Sequence, residues 1–119
     1  MKINYSERRS KLASKVLEDS AIIVSSASVK PRVSDTDYPY RQDSNFYYLS
    51  GYEEPESLLL IRPSKKEKFI IFCRDRDPLR EQWDGFRTGQ DGAIEHYDAD
   101  AAYSINSLDQ IMPNLLEGI

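Results

Sequence analysis

Tyr38-Pro-Tyr-Arg-Gln-Asp-Ser-Asn-Phe-Tyr-Tyr-Leu-Ser-Gly-Tyr-Glu-Glu-Pro-Glu-Ser-Leu-Leu-Leu-Ile61 is the stretch from which the rest of the chain can be laid out. Six aromatic residues fall between positions 38 and 52, mixed with Arg41, Asp43 and Asn45 in a way no simple amphipathic pattern explains. Pro39 pushes Tyr38 toward an extended conformation. Asp43 or Ser44 can cap a short helix through a side-chain oxygen. Phe46, Tyr47, Tyr48 and Leu49 fill that helix, and Gly51 suits its end, because glycine tolerates the left-handed conformation found there. Glu53-Glu-Pro-Glu then reads as a polar turn, and Ser57 to Ile61 as a buried strand. The aromatics are expected to form a core, with Arg41, Asp43 and Asn45 satisfying one another and nearby backbone groups.

Upstream, Ser6 is placed to cap a helix running to about Asp19, with Leu12, Ala13, Val16 and Leu17 on one face. Ala21 to Ser26 is rich in β-branched residues and reads as a strand. Ser25 to Asp37 reads as a polar loop. Downstream, Ser57 to Arg62 and Lys68 to Arg74 form a hairpin around Pro63-Ser-Lys-Lys-Glu. Both strands are apolar almost throughout, so both faces should be covered, which calls for helices on two sides of a mixed sheet. Asp77 and Pro78 start a further helix that reaches Trp83 or Asp84 and stops at Gly85. An irregular loop with glycines at 85, 89 and 92 follows, then a helical turn and connector over 93 to 100. Ala101 to Ile105 reads as a short strand. Ser107-Leu-Asp-Gln has the capping-box form for a last helix to about Leu116, weakened by Pro113.

The 119 residues, with a net charge of −4, fit one domain with one core and give no sign of nucleic-acid or membrane binding. No apolar run approaches a membrane span, and the N-terminus lacks the apolar centre of a signal peptide. A single cysteine, Cys73, cannot make an intrachain disulfide, which points to a reducing, cytoplasmic setting. It reads as a small buried hydrophobe, because nothing ties it to His96, the only histidine.

Chemistry-bearing patterns are sparse. The tight acidic pairs, Asp75 with Asp77 and Asp98 with Asp100, read as solvated loops rather than metal ligands. No phosphate loop, dinucleotide fingerprint or nucleophile elbow is present. By residue chemistry the chain has no catalytic residue and no metal site of its own. Arg74, Arg76, Arg80 and Arg87 around Trp83 allow two readings. One is a peptide-contacting edge, since arginine grips carboxylates and tryptophan packs on flat rings such as proline. The other, which residue chemistry alone favours, is internal pairing with Asp75, Asp77, Glu81 and Asp84 around a buried tryptophan anchor.

At two places the chain resembles a known family. Tyr38 to Glu56, and Arg76-Asp with Glu81-Gln-Trp-Asp-Gly-Phe-Arg-Thr-Gly-Gln-Asp91, are similar to the two motifs of the N-terminal domain of aminopeptidase P, the Xaa-Pro aminopeptidase. The likeness runs from the Arg8-Arg9 helix to the last helix. It implies one α/β domain over 1–119 of the creatinase and prolidase N-terminal type, with three layers: a mixed β-sheet and helices on both faces. It further implies a larger C-terminal "pita-bread" metallopeptidase domain, absent from this sequence, with two manganese ions that activate water to cleave the bond before proline. The resemblance thus makes this a non-catalytic part of a hydrolase, with no cofactor of its own. Its partners would be its own catalytic domain, other copies in a dimer or tetramer, and proline-containing peptides. In relatives a tryptophan at the place of Trp83 reaches toward a neighbouring subunit's substrate pocket, which makes Trp83 the candidate substrate contact and Arg87 a second one. The ending at Gly118-Ile119 suggests an excised domain. The alternatives are a stand-alone interaction module that has lost the enzyme, or the N-terminal domain of a prolidase, a dipeptidase of the same layout.

Overall fold

The computed structural model describes residues 3–28 and 40–119. The expectations for Tyr38 and Pro39, and for most of the 25–37 loop, lie outside them. Among the described residues, helices and strands run in the order α1 (Tyr5–Ala13), β1 (Ile22–Ser25), α2 (Ser44–Ser50), β2 (Leu58–Ile61), β3 (Phe69–Cys73), α3 (Pro78–Asp84), α4 (Gly89–Tyr97), β4 (Ala101–Ser104) and α5 (Leu108–Leu115). The sheet has the order β1-β2-β3-β4. β1 and β2 pair antiparallel, as do β2 and β3, with Leu59 opposite Ile71, while β3 and β4 run parallel. The parallel pair requires a long crossover, and the α3–α4 segment supplies it.

The apolar hairpin strands are covered on both faces, as their composition requires. Leu59, Ile61, Phe69, Ile71 and Cys73 point to one face, where they meet Phe46, Leu49 and Tyr52 from α2 and its exit, Ala93 from α4, and Leu12 and Ala13 from α1. Leu58, Leu60, Ile70 and Phe72 point to the other, against Leu108, Ile111, Met112 and Leu115 of α5. This is the three-layer α/β arrangement with a mixed sheet that the sequence indicated. Among the described residues no helix is long and apolar enough to cross a membrane.

Helix α2 forms as its sequence prescribes. The Asp43 carboxylate accepts from the Phe46 N–H at 3.0 Å, and Gly51 closes the helix at φ 72°. A Cβ at Gly51 would lie 2.7 Å from the Tyr5 ring, so glycine also lets α1 approach α2. Two arginines fasten these helices together. Arg9, buried with its guanidinium 3.8 Å from the centre of the Phe69 ring, donates to the Leu49 carbonyl at 2.9 Å, and Arg8 donates to the Tyr48 carbonyl at 3.1 Å.

The polar network inside the stretch is built differently from the expectation. Arg41 and Asn45 are exposed, and among the described residues neither bonds Asp43. Gln42 does the joining. Its Oε1 accepts from the N–H groups of Ala27 and Asp43 and from the Tyr40 hydroxyl, each at 2.9 Å, and its Nε2 donates to the carbonyls of Tyr52 and Glu54. A neutral amide does this because it donates and accepts at once, which no charged neighbour does.

Three helices also differ at their boundaries. Helix α1 is capped by Asn4, whose Oδ1 accepts from the Glu7 N–H at 3.0 Å, and Ser6 lies inside it. It stops at Ala13, where the Ser14 hydroxyl bonds the Lys11 carbonyl at 2.7 Å, so Leu17 ends up exposed. The glycine-rich segment after Phe86 is mostly helix: Gly89 and Gly92 belong to α4. The capping box at Ser107 does not form. Instead, Ser104 accepts from the Asn106 N–H and caps a 3₁₀ turn over Ile105–Ser107 that leads into α5, with Pro113 inside the helix.

Candidate functional site

The segment from Arg74 to Gly89 leaves the end of β3 and carries α3 away from the core. Asp77 caps α3, its Oδ1 accepting from the Arg80 N–H at 3.3 Å, and Pro78 sits in the first turn. Leu79 and Trp83, one turn apart, share a face. Leu79 is 76% exposed, Trp83 86% and Phe86 70%, so the helix and the loop after it present an apolar edge. The buried-anchor reading of Trp83 is therefore wrong. A tryptophan flanked by so many charges in sequence resembles a core residue ringed by ion pairs, but α3 is lifted off the sheet and its apolar face meets no partner among the described residues.

This exposed edge is held by two carboxylates. Glu81 accepts from the Arg76 Nε at 3.0 and 3.1 Å, from the Asp77 N–H at 2.9 Å and from the Arg87 N–H at 2.8 Å. Its side chain is only 8% exposed. Its carboxyl lies below the ordinary value of 4.5, chiefly because of the Arg87 N–H, with the Arg76 side chain and the Asp77 N–H adding to this against the opposing effect of burial. Glu54, from the polar turn of the opening stretch, holds the other end. It accepts from the Thr88 N–H at 2.9 Å, from the Thr88 hydroxyl, and from the Arg74 Nη2 at 3.2 Å. Arg76 also lies 4.7 Å from the centre of the Phe86 ring. Its stem passes so close to Gly89, at φ +72°, that a Cβ there would come within 2.6 Å.

The arginines thus divide in a way the sequence did not show. Arg76 makes the expected bridge to Glu81, but Arg74 pairs with Glu54 rather than with its acidic neighbours. Arg87 is half-buried, its Nη1 donating to the Asp75 carbonyl at 3.2 Å. Its Nε has no hydrogen-bond partner among the described residues. Sequence reasoning missed Glu54, and no local signal reveals it, because its partner Thr88 lies 34 residues away.

The acidic pairs are not simply solvated. Asp75 accepts from Gln90 at 3.0 Å and from the Ser104 hydroxyl at 3.1 Å. Asp100 accepts from the N–H groups of Lys68 and Phe69 and so ties the start of β3. Among the described residues no three His, Cys, Asp or Glu side chains come together to hold a metal ion. A pair of catalytic metal ions does not fit these residues. Cys73 is buried and its thiol is pushed up to about 11, mainly by burial, so it is not a nucleophile at neutral pH. His96 is exposed on α4.

Residues 5–119 match the family model "Aminopeptidase P, N-terminal domain". The chain is 40% identical to the Xaa-Pro aminopeptidase of Haemophilus influenzae, over 99% of this chain and 28% of that protein. It is 36% identical to human Xaa-Pro aminopeptidase 3, over 95% of this chain and 25% of that one. Among solved structures, Pseudomonas aeruginosa aminopeptidase PepP superposes with a TM-score of 0.90 at 44% identity, covering 93% of this chain and 25% of its own. Escherichia coli aminopeptidase P superposes at 0.89 with 33% identity, covering 97% and 27%. The sequence therefore spans about a quarter of the length of these relatives.

Proposed function

The chain belongs to the aminopeptidase P N-terminal domain family, and on that premise we propose that it is the non-catalytic N-terminal domain of a metal-dependent Xaa-Pro aminopeptidase working in the cytoplasm. The observation that carries this reading is Trp83, 86% exposed on a helix held by two shielded carboxylates, in a domain where, among the described residues, no three His, Cys, Asp or Glu side chains gather to hold a metal ion. An exposed tryptophan on a braced helix is suited to contact another molecule, because an indole brings large rigid area at little entropic cost. In this reading Trp83 packs against the proline side of a peptide at the mouth of a neighbouring subunit's active site. Arg87 is the second contact, as a guanidinium that can grip a carboxylate. The hydrolytic chemistry, including the manganese pair, belongs to a further domain that this domain packs against. What this chain contributes is oligomer contact, narrowed access and substrate orientation. The names of the relatives, Xaa-Pro aminopeptidases, favour this over a dipeptidase.

Sequencing the reading frame past Ile119 tests the proposal directly. A continuing frame with Asp, His and Glu metal-ligand motifs is expected, whereas a stop codon there would favour the stand-alone module. In the continuing protein, Trp83→Ala is expected to weaken release of the first residue from peptides with proline second. Unchanged processing would remove Trp83 from the substrate path.

A further inference from the structure

Helix α3 has no buried apolar side chain among its described residues, and both of its large apolar ones face outward. Packing of an apolar stripe normally fixes a helix of this length, since seven residues are too few to be stable alone. Here that source of order is missing, and the hydrogen bonds of two glutamates take its place. Glu81 binds the N–H of Asp77 before the helix and the N–H of Arg87 after it, so it closes the segment onto itself. Glu54 binds position 88 through both the backbone N–H and the side-chain hydroxyl of Thr88, and its other oxygen takes Arg74 at the exit of β3. Each carboxylate is largely shielded from water, with side-chain exposures of 8% for Glu81 and 17% for Glu54.

We propose that Glu54 and Glu81 are positioning residues for Trp83: Glu81 sets the shape of the α3 segment and Glu54 sets where that segment sits on the domain. Neither touches substrate. The proposal rests on the reading of Trp83 as the contact residue only for its catalytic consequence. The geometric part stands separately. A carboxylate is needed at both places because every bond converging on it comes from a donor. Glutamine at either position keeps the size but turns an NH₂ group toward an N–H or a guanidinium, so at least one bond is lost.

Trp83 is the only tryptophan of the chain, so its fluorescence reports this segment alone. Its steady-state anisotropy is compared in the 119-residue chain and in Glu54→Gln, Glu81→Gln and Thr88→Val, with far-UV circular dichroism as the control for overall folding. Lower anisotropy with unchanged circular dichroism is expected in the two glutamine variants, and a smaller fall in Thr88→Val, which keeps both carboxylates and the Thr88 N–H bond. Wild-type anisotropy in all three folded variants would overturn the proposal. Should either glutamine variant fail to fold, Thr88→Val decides alone. The catalytic consequence is read in the longer protein, where Glu54→Gln is expected to raise KM for peptides with proline second more than it lowers kcat. Lower anisotropy with unaltered KM would leave the positioning role in place and contradict the substrate-contact reading of Trp83.

Discussion

Trp83 and Glu81 both sit on α3 and have opposite fates: the apolar residue is in water and the charged one is shielded. That inversion makes two predictions. Truncating an exposed side chain removes little packing, so Trp83→Ala should change stability by less than about 0.5 kcal/mol. Thermal melts of the two proteins check this; a loss of about 3–5 kcal/mol, the cost of emptying a core site, would mean the indole is buried after all. Glu81 predicts a pH dependence. Its carboxyl is lowered in the folded chain from an ordinary 4.5, by the Arg87 N–H first and then by Arg76 and the Asp77 N–H. A lowered folded value means that the unfolded chain binds the proton more readily. The stabilisation is therefore complete above the unfolded value and is lost as pH falls through the folded one. The difference in melting temperature between the chain and Glu81→Gln should be constant near neutrality and shrink once the pH drops below 4.5. A difference that grows on acidification would reverse the assigned sign.

The elements show where local chemistry is enough and where it is not. Helix α2 has its cap, its apolar filling and its closing glycine in consecutive residues, so it was legible in full. Gly51→Ala should cost about 1–3 kcal/mol for the left-handed backbone alone, with the clash on Tyr5 added, and chemical denaturation measures it. A neutral result would mean that α1 does not pack where it does. The hairpin and α3 were legible for the same reason. Helix α4 was not, because Gly89 and Gly92 look like loop residues. Gly89 is required by a contact with Arg76 that arises only in three dimensions. The Ser107 capping box matched in letters only: Ser104 had already capped the preceding turn. The inner polar network went to Gln42 because its donors and acceptors come from residues 27 to 54, and sequence proximity pointed instead at the charged neighbours.

At the scale of the molecule, apolar content decided the architecture. Two adjacent strands without alternation demand cover on both faces, and α2 and α4 on one side and α5 on the other supply it. Ile71, fully buried at the centre, should cost about 2–5 kcal/mol when changed to alanine, as read by chemical denaturation. The candidate edge was only half legible. Trp83 stood out as the sole tryptophan, but that it is exposed, and that Glu54 holds both ends of its segment, depends on how α3 leaves the sheet. In the proposed reading, this domain presents an exposed edge and a separate domain carries out hydrolysis. The most direct test is the rate at which the purified 119-residue chain, in excess manganese, releases the first residue from a peptide with proline second. No rate above that of buffer is expected. Turnover that scales with protein and stops on adding a chelator would contradict a non-catalytic role.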